Sequence, residues 1–465
     1  MDNDIKAVQE LIAQAARRAR EETREEEGKP EFAQKLKWPV ECTIGPGLEG
    51  AIACESKIGY VNGAKGWLIY RGYDIFDLCA YSTFEEVSYL LLHGELPTAG
   101  QLAAYKEKLI NYRYLNKTLR LLMGFPVEEM NAMGSLRMGT ILMRQEFTTL
   151  DRQESRPALD DAISTDDDSI PMETKPVGHK RAIYEFRSRM RRRRAKKERD
   201  DAIGVEACYH LIAGVPTITA AIARVRAGHM AIEPDPTLSH AANFLYMMSG
   251  KKPTPLQEKI MDIALILHAD HGMNASTFAS MVVASTLSDI YFSIGSGIAA
   301  LSGPLHGGAN EQVIRTLQEI KKPEKVDSWL RRARKEGKKI PGFGHRVYKA
   351  YDPRARVLGP LAGYNIERCD EEIVNLYRTA TALEKKVLAD LSASKKIFPN
   401  VDFYSGLVYR RLGIDPAMFT PIFAVSRVAG WTARVLEYLQ KNRIFRPRAV
   451  YVGEYEKEYV PLEQR

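Results

Sequence analysis

Apolar positions recur at helical spacing through most of the chain. Ile5, Val8, Leu11, Ile12 and Ala15 fall on one helical face over residues 5–20, and a charge-dense run to Gly28-Lys29-Pro30 follows. This first segment, residues 1–36, is expected to be a charged helical appendage. Residues 84–93, 212–222, 256–267 and 422–439 repeat the three-and-four spacing, with Gly, Pro and Asn punctuation between segments. From Gly50 to Gly72 the texture changes. The short β-prone runs 58–61 and 67–70 flank Asn62-Gly63, a pair that tolerates positive φ, and predict a small hairpin. The pattern is that of a mainly α chain with one small β element and no internal repeat.

Residues 160–199 break this pattern. Asp160, Asp161, Asp166, Asp167 and Asp168 precede a basic run, and apolar residues are too sparse to bury much surface, so an exposed insertion over about 155–200 is expected inside a helical domain. Composition is otherwise ordinary: 465 residues, 45% hydrophobic and 27% charged, suit a globular protein of roughly two to three domains. The formal charge of +8 is local, because residues 180–199 hold eleven Lys and Arg against Glu185 and Glu198. Without that run the chain is near neutral, so only this segment suggests nucleic-acid binding.

Cys42, Cys54, Cys79, Cys208 and Cys369 are odd in number, widely spaced and lack a C-x-x-C pair. Neither a disulfide framework nor a thiolate zinc site is expected, and a reducing, cytoplasmic setting is the default. The longest weakly polar stretch identified, residues 292–305, is interrupted by Ser293, Ser296 and Ser302 and falls short of the roughly 20 apolar residues of a membrane span. The acidic opening (Asp2, Asp4, then Glu21, Glu22 and Glu25 to Glu27) fits neither a signal peptide nor a mitochondrial presequence, so no export or import signal is expected.

Three stretches put ionisable residues among glycines or apolar neighbours: residues 303–310, 341–346 and 399–406. In the first, Pro304 and Gly307-Gly308 specify a turn from which His306 projects, although a helix-capping histidine fits as well. In the second, Gly342 and Gly344 bracket Phe343 ahead of His345, and the cations Arg346, Lys349 and Arg354 suggest an anionic ligand or simply a solvated basic loop. In the third, Asp402 lies between Val401 and Phe403, where desolvation would raise its pKa toward that of a general base; a helix N-cap is the alternative. His268 and His271 close an apolar helical stripe as core histidines or ligands, without a third group to support a metal. Arg427, inside an apolar helix, needs a carboxylate from protein or ligand. Nucleotide-binding, zinc-protease and serine-hydrolase motifs are missing. The remaining set suits carbon-acid chemistry, in which a base removes a proton next to a carbonyl, a donor stabilises the enolate oxygen and arginines hold a multiply charged acid.

The three stretches in this order, with His268-Ala269-Asp270-His271, Tyr351-Asp352-Pro353-Arg354 and Arg446-Pro447-Arg448, closely resemble citrate synthase of the si type over about residues 37–465 outside the insertion. The resemblance implies a mainly α, two-domain fold: a large helical domain from residues 37–303 and 413–465, and a small domain, 304–412, closing over the cleft. It implies condensation of acetyl-CoA, a substrate rather than a bound cofactor, with oxaloacetate and water to give citrate and CoA. Asp402 then takes the methyl proton, His306 hydrogen-bonds the thioester oxygen and His345 polarises the ketone. The family's oxaloacetate ligands match His271, Arg354, Arg427 and Arg446, the last supplied by the neighbouring subunit of a homodimer or higher homo-oligomer. Gly342, Gly344 and Lys349 fall where the family holds CoA, and no metal is implied.

Three features depart from the family. Gly272 stands where many members have Glu, Asn131-Ala132-Met133-Gly134-Ser135-Leu136-Arg137 replaces H-P-M-x-x-L-R, and the insertion has no counterpart. The nearest rival is 2-methylcitrate synthase, which uses propionyl-CoA and differs by one methylene, worth only about 1–3 kcal/mol in an apolar pocket. A nucleic-acid-binding role through residues 180–199 is the rival of another class.

Overall fold

The computed structural model describes residues 2–23, 38–146, 197–454 and 456–465. Helices dominate. The first half contains α1 (Asp2–Glu22), α2 (Ile75–Tyr81), α3 (Phe84–His93), α4 (Ala99–Tyr112), α5 (Asn116–Leu122), α6 (Ala132–Leu142) and α7 (Lys197–Arg226). The second contains α8 (His240–Ser249), α9 (Pro255–His268), α10 (Ala275–Ser285), α11 (Ile290–Leu301), α12 (Ala309–Ile320), α13 (Val326–Lys335), α14 (Pro353–Gly363), α15 (Glu371–Lys395), α16 (Val401–Arg411) and α17 (Phe419–Leu439). Local chemistry sets their ends. Thr83, Thr98 and Thr254 each accept the backbone N–H three residues on, while Glu86, Gln101 and Gln257 reach back to the threonine N–H, a cap worth about 1 kcal/mol. Asn131 likewise caps α6 through the Met133 and Gly134 N–H groups, so the departure from H-P-M-x-x-L-R still starts a helix.

Residues 421–435 of α17 are all buried, and α3, α7, α9, α10 and α11 pack around this helix. A helix buried on every side is what the centre of a helical fold requires, and its Arg427 and Arg434 are buried with the apolar residues. Helices α12 to α16 pack chiefly on one another, with α12 and α14 against α16 and α13 against α15. The most apolar part of α7 is long and apolar enough by composition to cross a membrane, a stretch the reading of residues 292–305 overlooked; 89% of its window is buried inside the fold, as in a core helix.

The first helix, expected as an appendage, is docked. Val8, Ile12 and Ala16 are buried in the main core, and α1 packs on both α2 and α14. Gln9 Nε2 donates to the Ala80 carbonyl (3.1 Å) and the Tyr364 hydroxyl donates to Asp4 (2.7 Å). The apolar stripe was legible, but its partners lie far along the chain.

The hairpin forms from β1 (Gly59–Asn62) and β2 (Trp67–Tyr70), in register Gly59 to Tyr70, and a two-residue β3 (Tyr73–Asp74) adds a third antiparallel strand. Asn62 Oδ1 accepts the Lys65 N–H (3.0 Å), and the positive φ belongs to Gly66, not Gly63. Gly63 serves close approach instead. A Cβ there would lie 2.1 Å from the Val347 carbonyl oxygen, and the Gly63 carbonyl accepts the Lys349 N–H (2.9 Å), which fixes the hairpin tip against the loop carrying His345. The insertion lies outside the described residues except for its last few, which begin α7. The five cysteines have no disulfide partners.

Candidate active site

His306 lies in the turn between α11 and α12. Its Nε2 accepts the Ser276 N–H (3.3 Å) and sits 2.8 Å from Ser276 Oγ, in the first turn of α10. It therefore satisfies a free donor at a helix N-terminus, although of α10 rather than of its own helix. An acceptor Nε2 leaves the ring proton on Nδ1. Burial, assisted by the charge of Arg427, pushes the pKa down to about 4, so the imidazole is a neutral donor.

His345 is held the other way round. Its Nδ1 accepts the N–H groups of Val347 (3.0 Å) and Tyr348 (3.1 Å), which leaves Nε2–H as the donor. Burial lowers its pKa to about 4 against the opposing pull of Asp352. The loop is shaped by Gly342 (φ +78) and Gly344 (φ +80); at Gly342 a Cβ would meet Val313 and Phe403 within 2.9 Å. Gly344 N donates to the Phe398 carbonyl and Asn400 N to the Gly342 carbonyl, both at 2.9 Å, so the second and third stretches are laced together.

Asp402 stands in the first turn of α16. The cap is Asn400, whose Oδ1 accepts the Asp402 N–H (3.0 Å), so Asp402 is not spent on capping. Its carboxylate takes no side-chain hydrogen bond from the described residues. Burial raises its pKa to about 6 against the charge of Arg354, with Asp352 adding to the rise and Arg427 opposing it. This is the range of a working general base.

Cations and the remaining histidines complete the cluster. Arg427 is buried; its Nε donates to the His268 carbonyl (2.5 Å) and its Nη2 has no hydrogen-bond partner among the described residues. Burial lowers its pKa only to about 10, so the charge persists and awaits an anion. Arg354, also buried, pairs bidentately with Asp352 (3.0 and 2.8 Å), which keeps it charged. His268 ends α9 with Nδ1 on the Ala264 carbonyl (2.7 Å), as a core histidine. His271 lies beyond the end of α9 rather than on its face, 5.3 Å ring to ring from His345, with Nε2 3.2 Å from the Tyr348 hydroxyl. Burial and the charge of Arg354 hold it neutral. Among the described residues no group of three or more His, Cys, Asp or Glu could hold a metal ion.

Lys349 is exposed at the rim of a cavity of about 230 Å³ whose wall also carries Lys65, Arg356, Lys396 and Glu22. Arg446 is not brought to the cluster; it is exposed and, among the described residues, donates only to the Pro447 carbonyl (3.3 Å). Sequence reasoning missed Ser276, Tyr348 and the roles of Asp352 and Asp270. Asp270 is fully buried, and although burial opposes its ionisation, a bidentate pair with Arg434 (2.7 Å each) keeps its pKa low. A pair 164 positions apart leaves no local signal.

Residues 47–448 match the family "Citrate synthase, C-terminal domain". The chain is similar to the citrate synthase of Acidithiobacillus ferridurans, 40% identical over 92% of this chain and 100% of that one, and to that of Haloferax volcanii, 38% identical over 90% and 98%. Among solved structures it is similar to the citrate synthase of Pyrobaculum aerophilum, with a TM-score of 0.76 at 39% identity, covering 94% of this chain and 100% of that one. It is also similar to the citrate synthase of Thermoplasma acidophilum in ternary complex with carboxymethyl coenzyme A and oxaloacetate, with a TM-score of 0.74 at 33% identity over 91% and 100%. With a family match over most of its length and relatives at this identity and coverage, the chain belongs to the citrate synthase family.

Proposed function

We propose that the chain condenses acetyl-CoA with oxaloacetate and water to give citrate and CoA, with Asp402 as the base that takes a proton from the acetyl methyl. The observation that carries the catalytic assignment is the buried Asp402 carboxyl, raised to about 6 and unengaged by any described side chain, with Arg354 and Arg427 opposing the rise. As the methyl proton passes to Asp402, the Nδ1–H of His306 donates to the thioester oxygen, which becomes the enol oxygen. The methyl carbon then bonds the ketone carbon of oxaloacetate, whose oxygen takes a proton from the side of His345 Nε2. Water finally cleaves the citryl thioester, which releases CoA and makes the sequence effectively irreversible.

Arg427, with its Nη2 unpartnered among the described residues, suits one oxaloacetate carboxylate, and Arg354 and His271 suit the other polar groups. Arg446 is assigned to the site of a neighbouring subunit in a homodimer or larger homo-oligomer. Lys349, with Lys65 and Lys396 around the adjoining cavity, suits the CoA phosphates; Gly344, with nothing within 4 Å of where a Cβ would stand, suits a thioester chain close to the backbone, and Gly342, packed against Val313 and Phe403, holds that loop in place. Residues 304–412 act as the small domain; their closure on residues 37–303 and 413–465 excludes water during enolisation.

The test measures CoA release with oxaloacetate and either acetyl-CoA or propionyl-CoA, in the native protein and in Asp402→Asn. The variant keeps the shape and loses the proton acceptor, so turnover falls by at least about a hundredfold while oxaloacetate binding survives. Near-normal turnover in a folded Asp402→Asn protein overturns the assignment, and a preference for propionyl-CoA replaces citrate with 2-methylcitrate as the product.

A further inference from the structure

Tyr348 packs beside both His271 and His345, the three rings lying 4.9 to 5.4 Å apart. Its main-chain N–H donates to His345 Nδ1 (3.1 Å) and its hydroxyl lies 3.2 Å from His271 Nε2. Its buried ring packs against both imidazoles, with centroids 4.9 Å from His345 and 5.4 Å from His271, and the Arg354 guanidinium stands 5.9 Å over its face. We infer that Tyr348 is a further positioning residue for oxaloacetate, its phenol donating to His271 Nε2 so that the His271 proton stays on Nδ1, the ring nitrogen no described residue engages.

The chemistry requires some such device. Burial, assisted by the charge of Arg354, disfavours the His271 imidazolium, so the ring is neutral and carries one proton that either nitrogen could hold. Only one tautomer points a donor at a substrate oxygen. The phenol proton has no acceptor among the described residues other than His271 Nε2, so the phenol donates and the choice is made. The same residue acts on His345 through its backbone, which any side chain at this position preserves. Removing the hydroxyl therefore disturbs His271 and spares His345.

The proposal rests on the reading of His271 as an oxaloacetate ligand, and the experiment separates the two. Steady-state kinetics of Tyr348→Phe should show the oxaloacetate KM raised about tenfold, the loss of one well-placed hydrogen bond, with kcat within about twofold and the acetyl-CoA KM unchanged. His271→Ala should raise the oxaloacetate KM further, and in that background Tyr348→Phe should add nothing. If His271→Ala leaves the oxaloacetate KM unchanged, the ligand reading fails and the proposal with it. If His271→Ala raises it and Tyr348→Phe does not, or lowers affinity for both substrates alike, the phenol only packs and the proposal alone is overturned. Nitrogen NMR of histidine-labelled native protein supplies a readout independent of the variants: His271 protonated at Nδ1 supports the proposal, and protonation at Nε2 overturns it even if Tyr348→Phe does not fold.

Discussion

Asn400 links Asp402 to Gly344: its Oδ1 accepts the Asp402 N–H at 3.0 Å while its Nδ2 donates to the Gly344 carbonyl at 2.8 Å. One side-chain amide thus ties the first turn of α16 to the loop that carries His345. In Asn400→Ala both ties are lost. Stability should fall by about 1 kcal/mol, the usual cost of a lost cap, whereas kcat should fall at least tenfold because base and electrophile are no longer held together. Equal fractional losses of stability and activity in denaturant titration and turnover assays would reduce Asn400 to an ordinary cap.

The proposed role of Asp402 as the base also predicts the acid limb of the pH profile. With its pKa raised to about 6 by burial, the carboxyl is protonated and useless as a base below that pH and ionised above it. The pH dependence of kcat/KM for acetyl-CoA should therefore rise through pH 6 and level off by about pH 7. A limb near pH 4, the ordinary aspartate range, would mean that the base is solvated or lies elsewhere.

Much of this site was legible because its chemistry sits in short loops. Gly342 and Gly344 advertise a left-handed backbone that glycine adopts without strain, and Pro304 with Gly307-Gly308 marks the turn of His306. The helical spacing of residues 84–93, which form α3, was equally plain. What was hidden is what folding brings together: Ser276 under His306 from 30 positions away, the Tyr348 hydroxyl on His271 from 77, and α1 on α14. An apolar stripe announces that a helix is covered, but not by what. An aspartate between apolar residues reads the same whether it caps a helix or works as a base, until Asn400 is seen to take the cap.

Away from the cleft, two buried carboxylates start two helices. Asp262 Oδ1 accepts the Phe84 N–H (2.8 Å) and Glu85 Oε1 accepts the His240 N–H (3.0 Å). Burial, with the charge of Glu85, raises the Asp262 pKa to about 7 despite Lys259 nearby. The folded state then binds more protons than the unfolded chain between about pH 4 and 7, so stability falls as pH rises through that window. Asp262→Asn keeps an acceptor for Phe84 and removes the charge. Its melting temperature should exceed that of the native protein at pH 8 and match it at pH 5, and a difference independent of pH would contradict this origin.

Removing residues 1–23 tests the docking of α1. Val8 and Ile12 are fully or nearly fully buried, and each such aliphatic side chain is worth about 1.5–3 kcal/mol. The deletion should lower the unfolding midpoint in calorimetry by a clear margin while kcat stays within a few fold, because no proposed catalytic side chain lies on α1. An unchanged midpoint would show that the helix contributes no net stability.

The proposed completion of the site in trans rests on Arg446. Oxaloacetate carries two carboxylates, and Arg354 and Arg427 from one chain still leave room for a third cation. Arg446 cannot be that cation in its own chain as folded, since it is exposed and, among the described residues, bonded only to the Pro447 carbonyl. The plain alternative, a surface pair with Glu454 or Glu456, is not formed either; Glu454 pairs with Lys457 (2.6 Å). Val450, Tyr451 and Val452 of the same tail are exposed, so the segment presents apolar surface as well as charge. Asp402→Asn and Arg446→Ala proteins should each be nearly inactive. When their subunits exchange, one site of each mixed dimer carries both lesions and the other neither, so activity should return to about a quarter of the native value in a random equal mixture. No recovery despite demonstrated exchange would place Arg446 in its own subunit's site or outside any site.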